Sequence, residues 1–137
     1  MAGQPNKTLV ELFEIEDGTK IVILNAPPLY ELTLGELPPN VIKKINPHGS
    51  FDLIHYFALN KVELEFKFEW LRQHTKQPDG KLWVSWLKKT SGFATDLNET
   101  NIREMGSRHG MSGETIISVN DDWSAMKFLH SVKERKK

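Results

Sequence analysis

The stretch that decides the fold is PDGKLWVSWLKKTSGFATD, residues 78–96. It begins with a Pro-Asp-Gly turn, continues as an apolar run from Lys81 to Trp86, and ends in a polar loop with two lysines, hydroxyl residues, a glycine and an acid. A short apolar run bounded by turn residues is typical of a strand that is buried on both faces of a sheet. We therefore expect the rest of the chain to complete and cover a sheet around this strand.

Two segments upstream have the same character. Lys20–Leu24 and Phe51–Phe57 are apolar runs between turn residues, and each predicts a buried strand. Val41–Ile45 follows two prolines and an asparagine, which favours a short strand at an edge of the sheet. Short helices are predicted before and after the first strand, over Lys7–Glu14 with Asn6 as N-cap and over Pro28–Leu34.

The segment from Lys61 to Gln77 carries two conflicting patterns. Its apolar residues alternate with charged ones, which favours a half-exposed strand, whereas Asn60 and Glu63 have the spacing of a capping box. We predict a helix, because two neighbouring parallel strands need a crossover connection. One sheet can bury only one of its two apolar stripes, so the other is either a dimer face or is covered by the N-terminal helix or the tail. The stripes are Val62, Phe66 and Trp70, and Leu64, Phe68 and Leu71.

The last third of the chain predicts one helix and one hairpin. Asp96 and Glu99 have the spacing of a second capping box, and Gly110 can end the helix that they begin. Glu114–Asn120 and Ser124–Val132 are strand-like and joined by three residues, so they must pair antiparallel. The order of elements predicts an α/β fold: a doubly wound, mainly parallel sheet with helices on both faces and a C-terminal antiparallel hairpin.

Length and composition restrict the function classes. A chain of 137 residues suits a single α/β domain, residues 1–137, with a short basic tail at 133–137. Its 18 Lys and Arg balance 18 Asp and Glu, so we expect no nucleic-acid partner and no membrane partner. The absence of cysteine excludes disulfides, thiolate metal ligands and cysteine nucleophiles. No apolar run is long enough for a signal peptide or a membrane span, which predicts a cytoplasmic protein.

Candidate ligand-binding residues are those expected at the carboxyl ends of the strands, where doubly wound sheets bind ligands. The loop Lys88–Gly92 offers ammonium groups, hydroxyls and a permissive glycine, which suit a small anion. Asp96 would orient a lysine and Trp123 would form an aromatic lid; the alternatives are a solvated loop with Asp96 as a helix cap, and a tryptophan that packs the hairpin. The predicted ligand-binding residues are Asn25, Pro27, His55, Trp86, Lys88, Lys89, Ser91, Asp96 and Trp123.

His55 lies within an apolar strand, where a polar side chain must find a partner. It is either a general base that faces the pocket or, the interpretation we favour, a core histidine with satisfied hydrogen bonds. The other four histidines are scattered and show no HxH or HxxxH spacing, so no metal site is predicted. No Walker loop, dinucleotide fingerprint or nucleophile elbow occurs, and we predict no cofactor.

Several segments spread over most of the chain carry a resemblance to a known fold family. They are Phe51–Ile54, Pro78–Leu82, Arg108–Met111 and the final hairpin. These segments resemble the second half of a class I S-adenosylmethionine-dependent methyltransferase, which implies a truncated methyltransferase-like Rossmann fold. That family needs a glycine-rich turn after the first strand and an acid after the next, where this chain has Asn25–Pro28 and Lys43–Lys44. We therefore expect ordinary cofactor binding to be lost.

Further segments carry a closer resemblance. They are Leu24–Pro27, Phe51–His55, Leu82–Gly92, Thr95–Leu97, Asp122–Ser124 and Lys127–Phe128. They resemble a small bacterial family known as a domain of unknown function, DUF3052, which implies no agreed reaction. We predict a non-catalytic binding or regulatory module that acts through a protein partner or a small anionic ligand, as a monomer or homodimer. The alternative is an enzyme for a nucleotide or phosphorylated metabolite, with His55 or Asp96 as base; a methyltransferase is less favoured.

Overall fold

The computed structural model describes residues 8–28, 30–44 and 49–131, and the six strands within these ranges form one sheet. The strands are β1 (Lys20–Leu24), β2 (Ile42–Lys44), β3 (Leu53–Phe57), β4 (Lys81–Leu87), β5 (Met111–Ser118) and β6 (Trp123–His130). The helices are α1 (Leu9–Leu12), α2 (Tyr30–Leu34), α3 (Lys61–His74) and α4 (Glu99–Arg108), and a 3-10 turn spans Lys89–Ser91.

The strand order across the sheet is β2-β1-β3-β4-β6-β5. Strands β1 to β4 pair in parallel, and β6 runs antiparallel to both β4 and β5. The chain leaves β1 towards β2 on one side and returns to β3 on the other side, so the direction of connection reverses between β1 and β3. The predicted doubly wound, mainly parallel sheet with a C-terminal antiparallel hairpin is confirmed.

Hydrophobic layers cover both faces of the sheet, as predicted. Every residue of β3 is buried, and successive residues point to opposite faces. Ile54 and Tyr56 join the layer that α3 and α4 cover, whereas Leu53 and Phe57 join the layer that α1 and α2 cover. Neighbouring positions of one strand therefore lie in different halves of the core.

The conflicting pattern over Lys61–Gln77 is resolved as a helix, which ends at His74, three residues earlier than predicted. The Asn60 side chain accepts a hydrogen bond from the Glu63 backbone N–H at 2.8 Å, as its spacing predicted. One apolar stripe is fully buried, and the other is largely exposed. The buried residues are Leu64, Phe68 and Leu71, and the exposed ones are Val62 and Phe66, with Trp70 partly buried against the core.

The predicted cap of the first helix is wrong. Thr8 caps α1 in a capping box with Glu11, because its extended backbone lets its hydroxyl accept the Glu11 N–H. Residues 6 and 7, where we placed the cap and the first turn, lie outside the described residues, as do Ile45 of the predicted edge strand and the basic tail 133–137.

The predicted cap of α4 is also wrong. Asn98, two residues after Asp96, is the N-cap, and its side chain accepts the Asn101 N–H at 2.9 Å. The Asp96 carboxylate instead accepts the backbone N–H of Lys61 at 2.9 Å, so it satisfies an otherwise unpaired donor at the start of α3. Gly110, at φ 81°, follows the end of α4 as predicted.

None of the helices in the described residues combines the length and the apolar character that crossing a membrane requires.

Candidate functional site

The carboxyl ends of β1, β3 and β4 lie side by side along one edge of the sheet. Asn25 follows the end of β1, Phe57 ends β3, and Lys88 follows the end of β4. Doubly wound sheets bind ligands in the crevice outside this edge, at the point where the direction of connection reverses. This edge is therefore the candidate functional site.

At the reversal point between β1 and β3, a side chain of β3 hydrogen bonds to α3. Asn25 adopts a left-handed backbone with φ 60° directly after Leu24, which pairs with Tyr56 of β3. The Tyr56 hydroxyl donates to the Glu63 carboxylate at 3.4 Å. Burial, followed by the charge of Glu63, raises the pKa of Tyr56 to about 12, so its phenol stays neutral. This hydrogen bond connects the end of β3 to the first turn of α3.

Pro27 lies in the turn that follows Asn25. Its carbonyl accepts the Tyr30 N–H at 3.2 Å where α2 begins. A proline has no N–H to donate and a fixed φ angle, so this turn offers fewer backbone donors to a ligand than a glycine-rich turn does.

A cavity of about 350 Å³ lies at the carboxyl end of β4. Three of the nine predicted ligand-binding residues, Trp86, Lys88 and Lys89, line it together. The complete lining is Trp86, Leu87, Lys88, Lys89, Thr90, Leu97, Asn98, Glu99 and Ser124. The cavity therefore combines a buried tryptophan, two lysines and the first turn of α4.

The two lysines of this cavity have different environments. The half-buried Lys88 donates from Nζ to the Ser118 hydroxyl at 2.6 Å, and its backbone N–H donates to the Asp122 carbonyl at 2.8 Å. It therefore fastens β4 to the hairpin. Lys89 is exposed at the start of the 3-10 turn, so its ammonium group can turn towards a ligand without loss of packing.

Ser91 and Asp96 take part in hydrogen bonds of the loop and of α3. The Ser91 hydroxyl accepts the Phe93 N–H at 3.1 Å, across Gly92 in its left-handed conformation at φ 87°. Asp96 holds the start of α3, as described above. Neither residue lines the cavity, and a role in ligand binding stays a prediction for both.

His55 lies in the layer that α1 and α2 cover, with 2% of its surface exposed. Its Nδ1 is 3.2 Å from the Tyr30 hydroxyl, and its Nε2 is 2.6 Å from the Ser85 hydroxyl. Its ring packs between Phe13 and Phe57, with centroid distances of 4.6 Å and 4.3 Å. Burial lowers its pKa to about 3, so the ring is neutral. This is the geometry of a satisfied core histidine.

Trp123 also belongs to the layer that contains His55. Its ring packs edge to face on Phe57 with a centroid distance of 5.0 Å, and only 8% of the residue is exposed. Trp86 belongs to the opposite layer. Trp123 therefore packs the hairpin against the core, and Trp86 supplies the aromatic wall of the cavity.

Sequence reasoning missed Tyr56 and Glu63 at the reversal point, and Thr90, Asn98 and Glu99 at the cavity. The alternation of β3 could have revealed Tyr56, because a residue next to His55 must face the layer of α3. The capping spacing already placed Glu63 in the first turn of that helix. Within residues 8–28, 30–44 and 49–131, no three histidine or acidic side chains are grouped so that they could hold a metal ion.

Solved structures of methyltransferases share this fold. A putative type 11 methyltransferase from Sulfolobus solfataricus aligns with a TM-score of 0.62 at 14% identity, over 93% of this chain and 92% of that one. A SAM-dependent methyltransferase from Aquifex aeolicus aligns with a TM-score of 0.58 at 11% identity, over 89% of this chain and 87% of that one. A ribosomal protein methylase from Lactobacillus delbrueckii subsp. bulgaricus aligns with a TM-score of 0.58 at 10% identity, over 90% and 75%.

No family model and no curated protein matches the sequence, so the resemblance to DUF3052 stays a prediction. Sequence identities of 10–14% establish a common fold and nothing finer. The chain therefore has a methyltransferase-like Rossmann fold.

Proposed function

We propose that this chain is a non-catalytic binding or regulatory module on a methyltransferase-like fold, and that it takes a small anionic ligand in the cavity at the end of β4. One observation carries the proposal: Lys88, Lys89 and Thr90 line the same cavity. Two ammonium groups and a hydroxyl are donors that suit a phosphate or carboxylate group.

The charge and size of the cavity support an anion of metabolite size. Glu99 is the acid among the lining residues, and it forms an ion pair with Arg103 at 3.3 Å. The two lysines therefore dominate the local charge. A volume of about 350 Å³ falls within the range of small-molecule sites. Trp86 adds an apolar surface, so a phosphorylated metabolite or a nucleotide fits better than an inorganic ion alone.

The positions of the candidate bases favour binding over catalysis. His55 is buried in the other layer, between Tyr30 and Ser85, and does not line the cavity. Asp96 is hydrogen bonded to the backbone of α3. A general base must come within hydrogen-bonding distance of its substrate, and neither residue is placed to do so in this cavity.

Methyl transfer is the second candidate, because the likeness of fold to the Sulfolobus methyltransferase extends over 93% of the chain. The sequence at the reversal point argues against methyl transfer. Asn25 and Pro27 occupy the turn where close approach of the backbone to a cofactor requires glycine. Calorimetry with S-adenosylmethionine at about 1 millimolar tests this candidate, because that concentration half-saturates a site with a Kd of about 1 millimolar. Binding would favour methyl transfer, and no heat would dismiss it.

The main proposal is tested by thermal unfolding with phosphate, sulfate, nucleotides, S-adenosylmethionine and S-adenosylhomocysteine. A ligand that binds only the folded state raises its Tm. We expect phosphate or a nucleotide to raise the Tm of the wild type, and to raise that of Lys89→Ala much less. Lys76→Ala is the matched control, because Lys76 is an exposed lysine that pairs with Asp52 at 3.6 Å, away from the cavity. Equal shifts in all three proteins, or no shift with any anion, would overturn the proposal.

A further inference from the structure

The outer face of α3 exposes apolar side chains that the fold does not use. Val62 is 80% exposed and Phe66 is 92% exposed, whereas the opposite stripe of the same helix is fully buried. Beside them runs a groove of about 550 Å³, and its lining residues are Lys61, Val62, Glu65, Phe66 and Met105. Exposed apolar surface of this kind marks interaction sites.

The residues of this face form two pairs with the same spacing. Lys61 and Glu65 are four residues apart, and so are Val62 and Phe66. When two copies of a helix pack antiparallel about a two-fold axis between positions 63 and 64, position 62 of one copy faces position 65 of the other, and position 61 faces position 66. Phe66 of the second copy is therefore one residue from the position opposite Val62, and Glu65 is one residue from the position opposite Lys61. Both alignments hold within one residue, which is about 1.5 Å along the helix.

We infer that this outer face of α3 is a homodimer interface, in which two copies pack antiparallel about a two-fold axis. A two-fold interface requires one surface to complement itself, and this face carries an exposed aromatic ring beside an apolar groove. Lys61 and Glu65 lie at the rim of this face. The same symmetry brings the positive side chain of each copy near the negative side chain of the other.

Contacts within its own chain hold Glu65 in place before a second copy binds. One oxygen of Glu65 is hydrogen bonded to Arg108, and the other lies 2.8 Å from His109 Nε2. A side chain that is already ordered loses less conformational entropy on association. The hydrogen bond from His109 and the nearby Arg108 also lower the pKa of Glu65, so its carboxylate is charged at neutral pH.

The outer face of α3 is small for a stable interface. An aromatic side chain such as Phe66 contributes about 150–250 Å², and stable interfaces bury about 800 Å² on each partner. One helix face with part of α4 is a modest interface by that measure, so we expect a dimer with a dissociation constant of micromolar order.

Sedimentation equilibrium of the full chain, from about 1 to 100 micromolar, tests the inference across that affinity range. We expect the wild type to dimerise and Phe66→Glu to remain monomeric, because the change puts a charge at the centre of the apolar contact. Leu32→Glu is the matched control: Leu32 is 79% exposed on α2, so this variant should dimerise as the wild type does. A monomeric wild type, or a Phe66→Glu variant that dimerises normally, would overturn the inference.

Charge exchange tests the antiparallel arrangement itself. Lys61→Glu alone and Glu65→Lys alone should each weaken the dimer, because each leaves like charges opposite one another. An equimolar mixture of the two single variants should associate again, since every contact then joins opposite charges. Failure of the mixture to associate, with both variants shown to be folded by their melting curves, would overturn the arrangement. If Glu65→Lys does not fold, the results for Lys61→Glu and Phe66→Glu decide.

Discussion

Gly106 of α4 lies against the ring of Phe128 on β6, so that a Cβ placed on this glycine would be 2.1 Å from a ring carbon. Phe128 is fully buried and also packs edge to face on Phe68, with a centroid distance of 5.4 Å. The absence of a side chain at position 106 therefore sets how closely α4 approaches the sheet.

Gly106→Ala should destabilise the protein, although the same change in an exposed helix stabilises it by about 1 kcal/mol. The added methyl group must displace a buried ring, and overpacking of this kind costs about 1–3 kcal/mol. Urea unfolding measures the difference in the free energy of unfolding. Ser107→Ala, at the exposed neighbouring position, is the control and should be neutral or slightly stabilising. A stabilised Gly106→Ala variant would show that the helix can move away from Phe128 at little cost.

His55 should make the protein less stable as the pH falls below neutrality. Burial holds the pKa of His55 at about 3, below its ordinary value of 6.5, so between these values the unfolded chain binds a proton that the folded chain does not. The contribution is complete above pH 6.5 and falls by up to about 1.4 kcal/mol per pH unit towards pH 3.

His55→Gln keeps hydrogen-bonding atoms for Tyr30 and Ser85 but cannot take up a proton. Its free energy of unfolding should therefore fall less steeply than that of the wild type between pH 6.5 and pH 5, a range above the ordinary pKa of carboxylates. Urea unfolding at steps of pH gives both slopes. Equal slopes for the two proteins would mean that the folded state also takes up the proton.

Asp96 should stabilise α3 rather than α4, although it is close to α4 in sequence. Asp96→Ala removes the acceptor of the Lys61 N–H and a negative charge at a helix N-terminus, which together cost about 0.5–2 kcal/mol. Asp96→Asn keeps a hydrogen-bond acceptor for the Lys61 N–H, so it should lose less stability than Asp96→Ala. Hydrogen exchange of the backbone distinguishes the two helices: faster exchange in the first turn of α4 alone would contradict this assignment.

Asn25 should tolerate glycine better than alanine. Its φ of 60° is unfavourable for a residue with a Cβ, and asparagine accepts it more readily than alanine does. Both variants lack the asparagine side chain, so the difference between them isolates the backbone contribution to the free energy of unfolding, which should be about 1 kcal/mol in favour of glycine. Thermal unfolding of the pair measures this difference, and an alanine variant as stable as the glycine variant would rule out strain at this turn.

The strands and helices could be predicted from the sequence because their signals are local. Lys20–Leu24 is a β-branched run between turn residues, and β1 has the same bounds. The N-cap of α4 was harder to predict, because Asp96 and Asn98 are each followed by a polar residue three positions later. Because the loop packs against α3, Asp96 accepts a hydrogen bond from the first residue of a helix that begins 35 residues earlier in the chain.

The candidate site could be predicted only in part, because adjacent residues of a buried strand enter different layers. Lys88, Lys89 and Trp86 come together since they belong to one strand end. His55 and Trp123 lie in the opposite layer, which depends on the register of neighbouring strands and is not visible in their own segments. Tyr56 was missed for the same reason, because its position next to His55 places it on the other face.

The position of β6 between β4 and β5 has a consequence for synthesis of the chain. β6 follows the other described strands in sequence, yet it fills the middle of one half of the sheet, and β5 pairs with no other strand in the described part of the chain. Until Trp123–His130 emerges, β4 presents a long apolar edge that has no neighbour on that side. A chain in which this strand has not yet inserted therefore exposes an unpaired strand edge, and such an edge favours aggregation.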